Sequence, residues 1–304
     1  MHGRRHEQHS GTVTMTTASS TATPRRYARR GGALAWLLPS LAVLGALLLW
    51  QVFTALPVVP DSAEGWRPVF RPSQFPTALD SLTALGRALA GPDLWRSVGL
   101  TLTAWILGML VTVVAGVVVG SLLAFNEFAA RSAAPVIEIV KAIPAIAILP
   151  VVIMTPLQNG MGMKVFLIAF AAFWPFVIQV MYGVRSTDPV ALDTARANGI
   201  TGVRRFFSVT VPSASPYLVT GMRIASAQAL ILAIISELVG GADGIGRQIL
   251  LAENNGIDSY PQMYAYIIVS GLLGLVLTGA LFLMERRVMH WHESQRSIRA
   301  GGDR

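Results

Sequence analysis

"RSVGLTLTAWILGMLVTVVAGVVVGSLLAF", residues 96–125, carries no charge after its first residue. About twenty apolar residues suffice to cross the hydrocarbon core of a bilayer as a helix, so this run reads as a membrane span. Within it Ala104, Gly108, Thr112, Gly116, Gly120 and Ala124 place a small residue at every fourth position. On a helix these residues form one groove, along which a second backbone approaches closely. The stretch thus predicts both a membrane helix and a tightly packed neighbour.

The rest of the chain has the same character. Its 304 residues are 53% hydrophobic and 13% charged, whereas roughly a quarter of the residues in soluble proteins are charged. Apolar runs predict spans at about 33–56, 96–125, 136–157, 163–184, 215–239 and 263–285, an all-α polytopic membrane protein with about six transmembrane helices. The first run follows a basic tail. It is longer than the apolar core of a signal peptide, and no small-residue cleavage pattern follows promptly, so it reads as a retained anchor. Pro144, Pro150 and Pro156 predict that the third span is kinked or partly unwound. No internal repeat is evident, which weighs against transporters built from inverted halves.

Sixteen of the 24 Lys and Arg fall in the two tails and in the segments after spans two and four. Lys141 and Arg223, at the same ends of spans three and five, raise that to eighteen. The excess of basic residues predicts cytoplasmic N- and C-termini for a multi-pass protein of the cell (plasma or inner) membrane. The basic residues are spread as topology determinants with no interleaved aromatics, so nucleic acid is not a predicted partner.

Residues 1–31 form a basic tail rich in Ser and Thr with no periodicity, and are expected to be disordered and cytoplasmic. Residues 32–288 make up the membrane domain, with a polar loop at 186–214, and 289–304 form a second cytoplasmic tail. Residues 57–95 lie outside. There "FPTALDSLTALGRALAGPD" predicts a short helix with Leu79, Leu82, Leu85 and Leu89 on one face, lying on the outer membrane surface.

Several chemistries lack their residues. There is no Cys, and His2, His6, His9, His290 and His292 all lie in the tails, so no catalytic or metal-binding set is predicted. "HWHE" at 290–293 reads as solvated tail. "GMGMKV" at 160–165 lacks the G-K-[ST] ending of a phosphate loop. "GADGIG" at 241–246 follows a membrane span and not a strand, so it reads as a turn and not a dinucleotide site. The chain is not predicted to hydrolyse ATP.

The polar loop contains "ALDTARANGITGVRRFFSVTVP", residues 191–212. Asp188-Pro189 supplies an N-cap and a first-turn proline, and Gly199 is placed to end that helix in a left-handed conformation. Thr201 can cap a second short helix in which Val203, Phe206 and Phe207 share an apolar face, flanked by Arg204 and Arg205 and closed by Pro212. One reading of this unit is an amphipathic element resting on anionic lipid. The glycine hinge and the acidic residue on its first helix argue against that reading and for a compact knob of two short helices.

This stretch resembles the cytoplasmic signature of ABC-importer permeases, E-A-A-x3-G-x9-I-x-L-P. Asp193 stands for the Glu, Thr194 and Ala195 for the two Ala, Gly199 for the Gly, and Val209, Val211 and Pro212 for the closing Ile, Leu and Pro. "IEIVKAIPAIAILPVVIM", "YGVRSTDP", "SELVGGADGIGRQIL" and "LMERRVMHWH" are similar to the branch that handles nitrate, sulfonates, taurine and pyrimidine precursors. The resemblance implies a type I importer permease fold working as half of a pore, most simply a homodimer. It implies two copies of a cytosolic ATPase, which bind ATP and Mg while this chain holds no cofactor, and an extracytoplasmic solute-binding protein. The loop then inserts into the ATPase, with Phe206 and Phe207 as its apolar anchor.

Residues of spans four and five are candidates for the solute path. Ser226, Ala233 and Glu237, with Ala229, lie in a narrow angular range of span five, and Gln228 is off to one side. Glu237 is ionisable inside an apolar run, which marks either a functional site or an ion pair with a residue such as Lys164 near a wet outer end. Trp174 and Gln179 are candidates in span four. Glu138 and Lys141, spaced i, i+3, predict a mutual ion pair. The alternatives are a secondary transporter or channel without an ATPase partner, and a membrane-anchored scaffold. The knob argues against the first, and the polar, kinked spans against the second.

Overall fold

The computed structural model describes residues 34–61, 65–68, 75–158 and 160–288. Both tails beyond these limits, "HWHE" included, lie outside the described residues. The chain divides between Ala46 and Leu47 into two units. Of the first, the opening turns of α1 (Leu34–Ala55) are described.

The second unit is nearly all helical. After α1, a two-stranded antiparallel ribbon (Pro57–Asp61 with Gly65–Pro68) occupies part of the loop that the sequence leaves irregular. Helix α2 (Ala78–Ala90) begins at Thr77, whose hydroxyl accepts the Asp80 N–H at 3.1 Å. It buries Ala78, Ser81 and Ala84 and leaves Leu79, Leu82 and Leu89 exposed. The small face therefore packs, and the leucine face is free to meet lipid.

Pro92 opens α3 (Pro92–Phe125), since a proline at the first turn lacks only an N–H that has no helical partner there. The groove of small residues is occupied. Ala104, Gly108, Thr112, Gly116 and Gly120 are buried against α6 (Met161–Arg185). A Cβ on Gly108, Gly116 or Gly120 would meet Ile168, Phe176 or Val180 respectively. Helix α9 (Val211–Val239) packs on α6 with Gly183 and Gly221 at the contact, and also touches α3. Together α3, α6 and α9 form the core.

The third predicted span differs from expectation. Helix α4 (Glu127–Ala142) starts earlier, and its chain breaks at Ile143-Pro144. A short 3-10 turn (Ala145–Ile148) and α5 (Leu149–Ile153) then continue at 84° to it. Pro144 lacks a donor and forces the preceding residue out of the helical region, so the chain turns where a kink was predicted.

Helices α7 (Pro189–Ala197), α8 (Gly202–Arg205), α10 (Ile245–Asn254) and α11 (Tyr260–Val288) complete the fold. Leu94, Ile245, Ile249, Tyr266 and Val269 make a second apolar cluster that joins α3, α10 and α11. By length and composition four helices among the described residues can cross a membrane, or five if the bent pair counts as one span.

Candidate functional site: a protruding loop, a polar cavity and a buried clasp

The loop is built as the sequence spacing requires at its first helix. Asp188 accepts the Val190 N–H at 2.9 Å and starts α7. At the far end the Ile200 N–H reaches back to the Ala195 carbonyl at 2.9 Å, and Gly199 between them has φ +71°. That closure needs a left-handed residue, and a Cβ there would meet nothing within 4 Å, so backbone conformation alone explains the glycine. Asp193 pairs with Arg196 at 3.1 Å on the surface, Thr194 bonds the Val190 carbonyl, and Ala195 is buried.

The second helix departs from the prediction in two ways. It does not close at Pro212: α8, a π turn at Phe206–Thr210 and α9 form one continuous helix from Gly202 to Val239. A proline clashes with the carbonyl four residues before it. The wider turn, in which the Val211 N–H bonds the Phe206 carbonyl, relieves that clash and carries the helix through Pro212. Secondly, the apolar face is divided. Phe206 turns inward against Phe125, ring centroids 6.2 Å apart, while Val203 and Phe207 are 74% and 63% exposed beside Arg204. Val209 and Val211 are half-buried at the base.

The same continuous helix reaches the cavity. A space of about 480 Å³ lies between α4, the break at Ile143-Pro144, α6 and α9. Trp174, Gln179 and Gln228 line it, together with Lys141. Lys141 also holds Glu138 at 2.7 Å. The Trp174 Nε1–H is buried with no partner among the described residues. The wall thus combines aromatic area with amide groups, an ammonium and one unsatisfied donor, suited to a small solute rich in acceptors.

Ser226, Ala233 and Glu237 are placed elsewhere. Their strip of α9 is buried in helix packing, and the Ser226 carbonyl accepts from the Trp105 Nε1–H at 3.2 Å. Glu237 faces Lys164 at 2.8 Å with side chains 0% and 1% exposed, so this end is dry and not wet. Its carboxylate also accepts from the Thr101 hydroxyl at 2.8 Å and the Gly246 N–H at 3.0 Å. The Lys164 ammonium spends its other protons on the carbonyls of Asp243 at 2.8 Å and Leu100 at 3.3 Å. A Cβ on Gly244 would collide with the Glu237 carboxylate, which explains that glycine. This clasp pins the turn before α10 to α3, α6 and α9. The sequence suggested its ion pair but not Thr101, 136 residues away, or the Gly246 N–H, nine residues on across a turn. An ion pair between Arg223 and Glu285, joining α9 to α11, had no sequence signal either.

Residues 113–290 match the family described as binding-protein-dependent transport system inner membrane component. The chain is 23% identical over 285 residues to SsuC of Bacillus subtilis (strain 168), described as an aliphatic sulfonates transport permease, covering 94% of this chain and 97% of that protein. It is 28% identical over 232 residues to the nitrate import permease protein NrtB of Synechococcus elongatus, covering 76% of this chain and 82% of the relative. Among solved structures, an inward-facing conformation of the MetNI methionine ABC transporter superposes with a TM-score of 0.56 at 21% identity, covering 65% of this chain and 98% of that one. The fold is that of the type I ABC importer permeases.

Proposed function

This chain belongs to the family of binding-protein-dependent transport system inner membrane components, the permease subunits of ABC importers, and on that premise we propose that it moves a small oxyanion or similarly acceptor-rich polar solute inward by alternating access. In this family a separate ATPase hydrolyses ATP, and the permease works with that ATPase and a binding protein. In our reading two ATPase copies bind ATP and Mg, this chain holds no cofactor, and two copies of it form the pore. Both tails and the loop face the cytoplasm. The names of the sulfonate and nitrate relatives support the solute class.

One observation carries the mechanism. Val203, Arg204 and Phe207 protrude from the first turns of the helix that presents Gln228 to the cavity. Twenty-one residues separate Phe207 from Gln228, about 30 Å at 1.5 Å per residue. An ATPase gripping the exposed side chains moves the cavity wall through one helix, which runs unbroken through Pro212 and Pro216. Trp174 and Gln179 form the facing wall on α6, so a displacement of α9 changes the width of the passage.

Co-purification of the partner ATPase and ATP-driven uptake in proteoliposomes test this. Val203→Asp/Phe207→Ala removes the exposed apolar area, and filling a pocket with such a Phe is worth ~1.5–3 kcal/mol. Gly199→Val imposes a left-handed strain of roughly 1–2 kcal/mol and misaims the second helix. Both variants insert normally, lose the ATPase from the membrane and lose uptake. Normal uptake in both would show that the loop is not the coupling element.

A further inference from the structure

A groove of about 900 Å³ lies between the last turns of α3 and the loop elements, and its loop side shares Val203 and Phe207 with the surface proposed above to meet the ATPase. One wall is Val118, Leu122 and Phe125, which are 54%, 65% and 60% exposed on a membrane-spanning helix. Phe206 and Phe207 form part of the other. Its charge is of one sign: Arg196 and Arg205 line it, and among the described residues no carboxylate does. Arg196 reaches out to Asp193 on the surface, and Arg205 has no partner among the described residues. Both arginines belong to the loop, whereas the apolar wall runs back along α3. Between these parts, Ser121 lines the groove and is 93% buried, at 7% exposure, and its hydroxyl has no partner among the described residues.

These features ask for one kind of molecule. An apolar slot at membrane depth takes a hydrocarbon chain. Guanidinium groups on its loop side take a phosphate, which a planar fork of N–H donors binds in bidentate fashion. A buried hydroxyl without an acceptor is costly until something supplies one. We propose that the groove binds an anionic glycerophospholipid drawn from the leaflet at the loop end of the molecule. Its phosphate lies on Arg205 with Arg196 beside it, an ester carbonyl accepts from Ser121, and an acyl chain runs along Val118, Leu122 and Phe125. A free anion would satisfy the arginines and leave the apolar wall wet. A choline lipid would fill the slot but bring a second cationic group against the arginines. The bound lipid ties α7 and α8 to the end of α3, so the anionic lipid content of the membrane sets how firmly the loop is held.

Native mass spectrometry of the purified full chain, with dioleoyl-phosphatidylglycerol or dioleoyl-phosphatidylcholine added, reads this directly. The wild-type chain retains phosphatidylglycerol in preference. Arg196→Gln/Arg205→Gln lowers that preference about thirtyfold, the size expected for removing two interfacial cations. Leu122→Trp blocks the slot and removes both lipids, whereas Arg131→Gln, an exposed cation outside the groove, changes nothing. The charge and slot variants act on different halves of the groove, so a folding defect in one leaves the other informative. Equal retention of both lipids by the wild type would overturn the proposal, as would a preference that survives either variant. Loss of the lipid when a second copy or the ATPase assembles on the chain would show that the groove is instead a protein contact.

Discussion

Glu237 and Lys164 are held so completely that each depends on the other. Every Lys164 proton and both Glu237 oxygens have partners, and neither side chain reaches solvent. Removing one member of such a pair leaves a buried charge uncompensated and costs roughly 3–5 kcal/mol, whereas replacing both by neutral groups of similar size costs much less. Glu237→Gln and Lys164→Met are each expected to lower the melting temperature in detergent by many degrees, and the double variant to recover most of the loss. A double variant as unstable as the sum of the singles would mean that the two groups do not act as a pair. The ionisable residue inside an apolar run was legible in the sequence, and so was its basic partner. Its dryness was not, because that depends on Thr101, 136 residues away, and on the conformation of the turn up to Gly246, nine residues on, which closes over it.

At the scale of elements, the stripe of small residues on α3 was the most readable signal, since its spacing of four matches the helical repeat and needs no tertiary knowledge. Its consequence is testable by contrast within one helix. Gly116→Leu drives a side chain into the Phe176 ring, whereas the Cβ of Gly99→Leu meets nothing within 4 Å. Overpacking costs typically 1–3 kcal/mol or more. The first substitution is expected to reduce folded protein and melting temperature sharply, and the second to leave both unchanged. Equal behaviour of the two would contradict the packing of α6 in that groove. The π turn at Phe206–Thr210 was not legible. A proline after a short helix normally marks its end, and only the packing of Phe206 on Phe125 and of α9 on α6 shows the helix continuing through it. The split of Val203 and Phe207 from Phe206 has the same origin. Helical spacing puts the three within one broad face with about 100° between Phe206 and Phe207, and the contact with Phe125 turns Phe206 inward.

For the whole molecule, the continuous helix changes what the loop is. A knob closed at Pro212 would need a further joint to pass motion inward, whereas Gly202–Val239 connects the protruding surface to the cavity wall in one element. The sequence placed Gln228 off to one side of α9. That side proves to face the cavity because the Ala229 and Ala233 strip is consumed by packing in the core. The absence of Cys allows site-directed spin labels without background. Labels at Val203 and Thr220, both exposed on this helix, should lie about 25 Å apart from the helical rise. With labelled chain diluted in unlabelled chain and the partner ATPase present, pulsed dipolar spectroscopy is expected to give that same distance with and without ATP, while a pair at Val203 and Val136 on α4 shifts between the two states. A Val203–Thr220 distance that changes with ATP would contradict the account, because the helix would then bend where it is required to transmit.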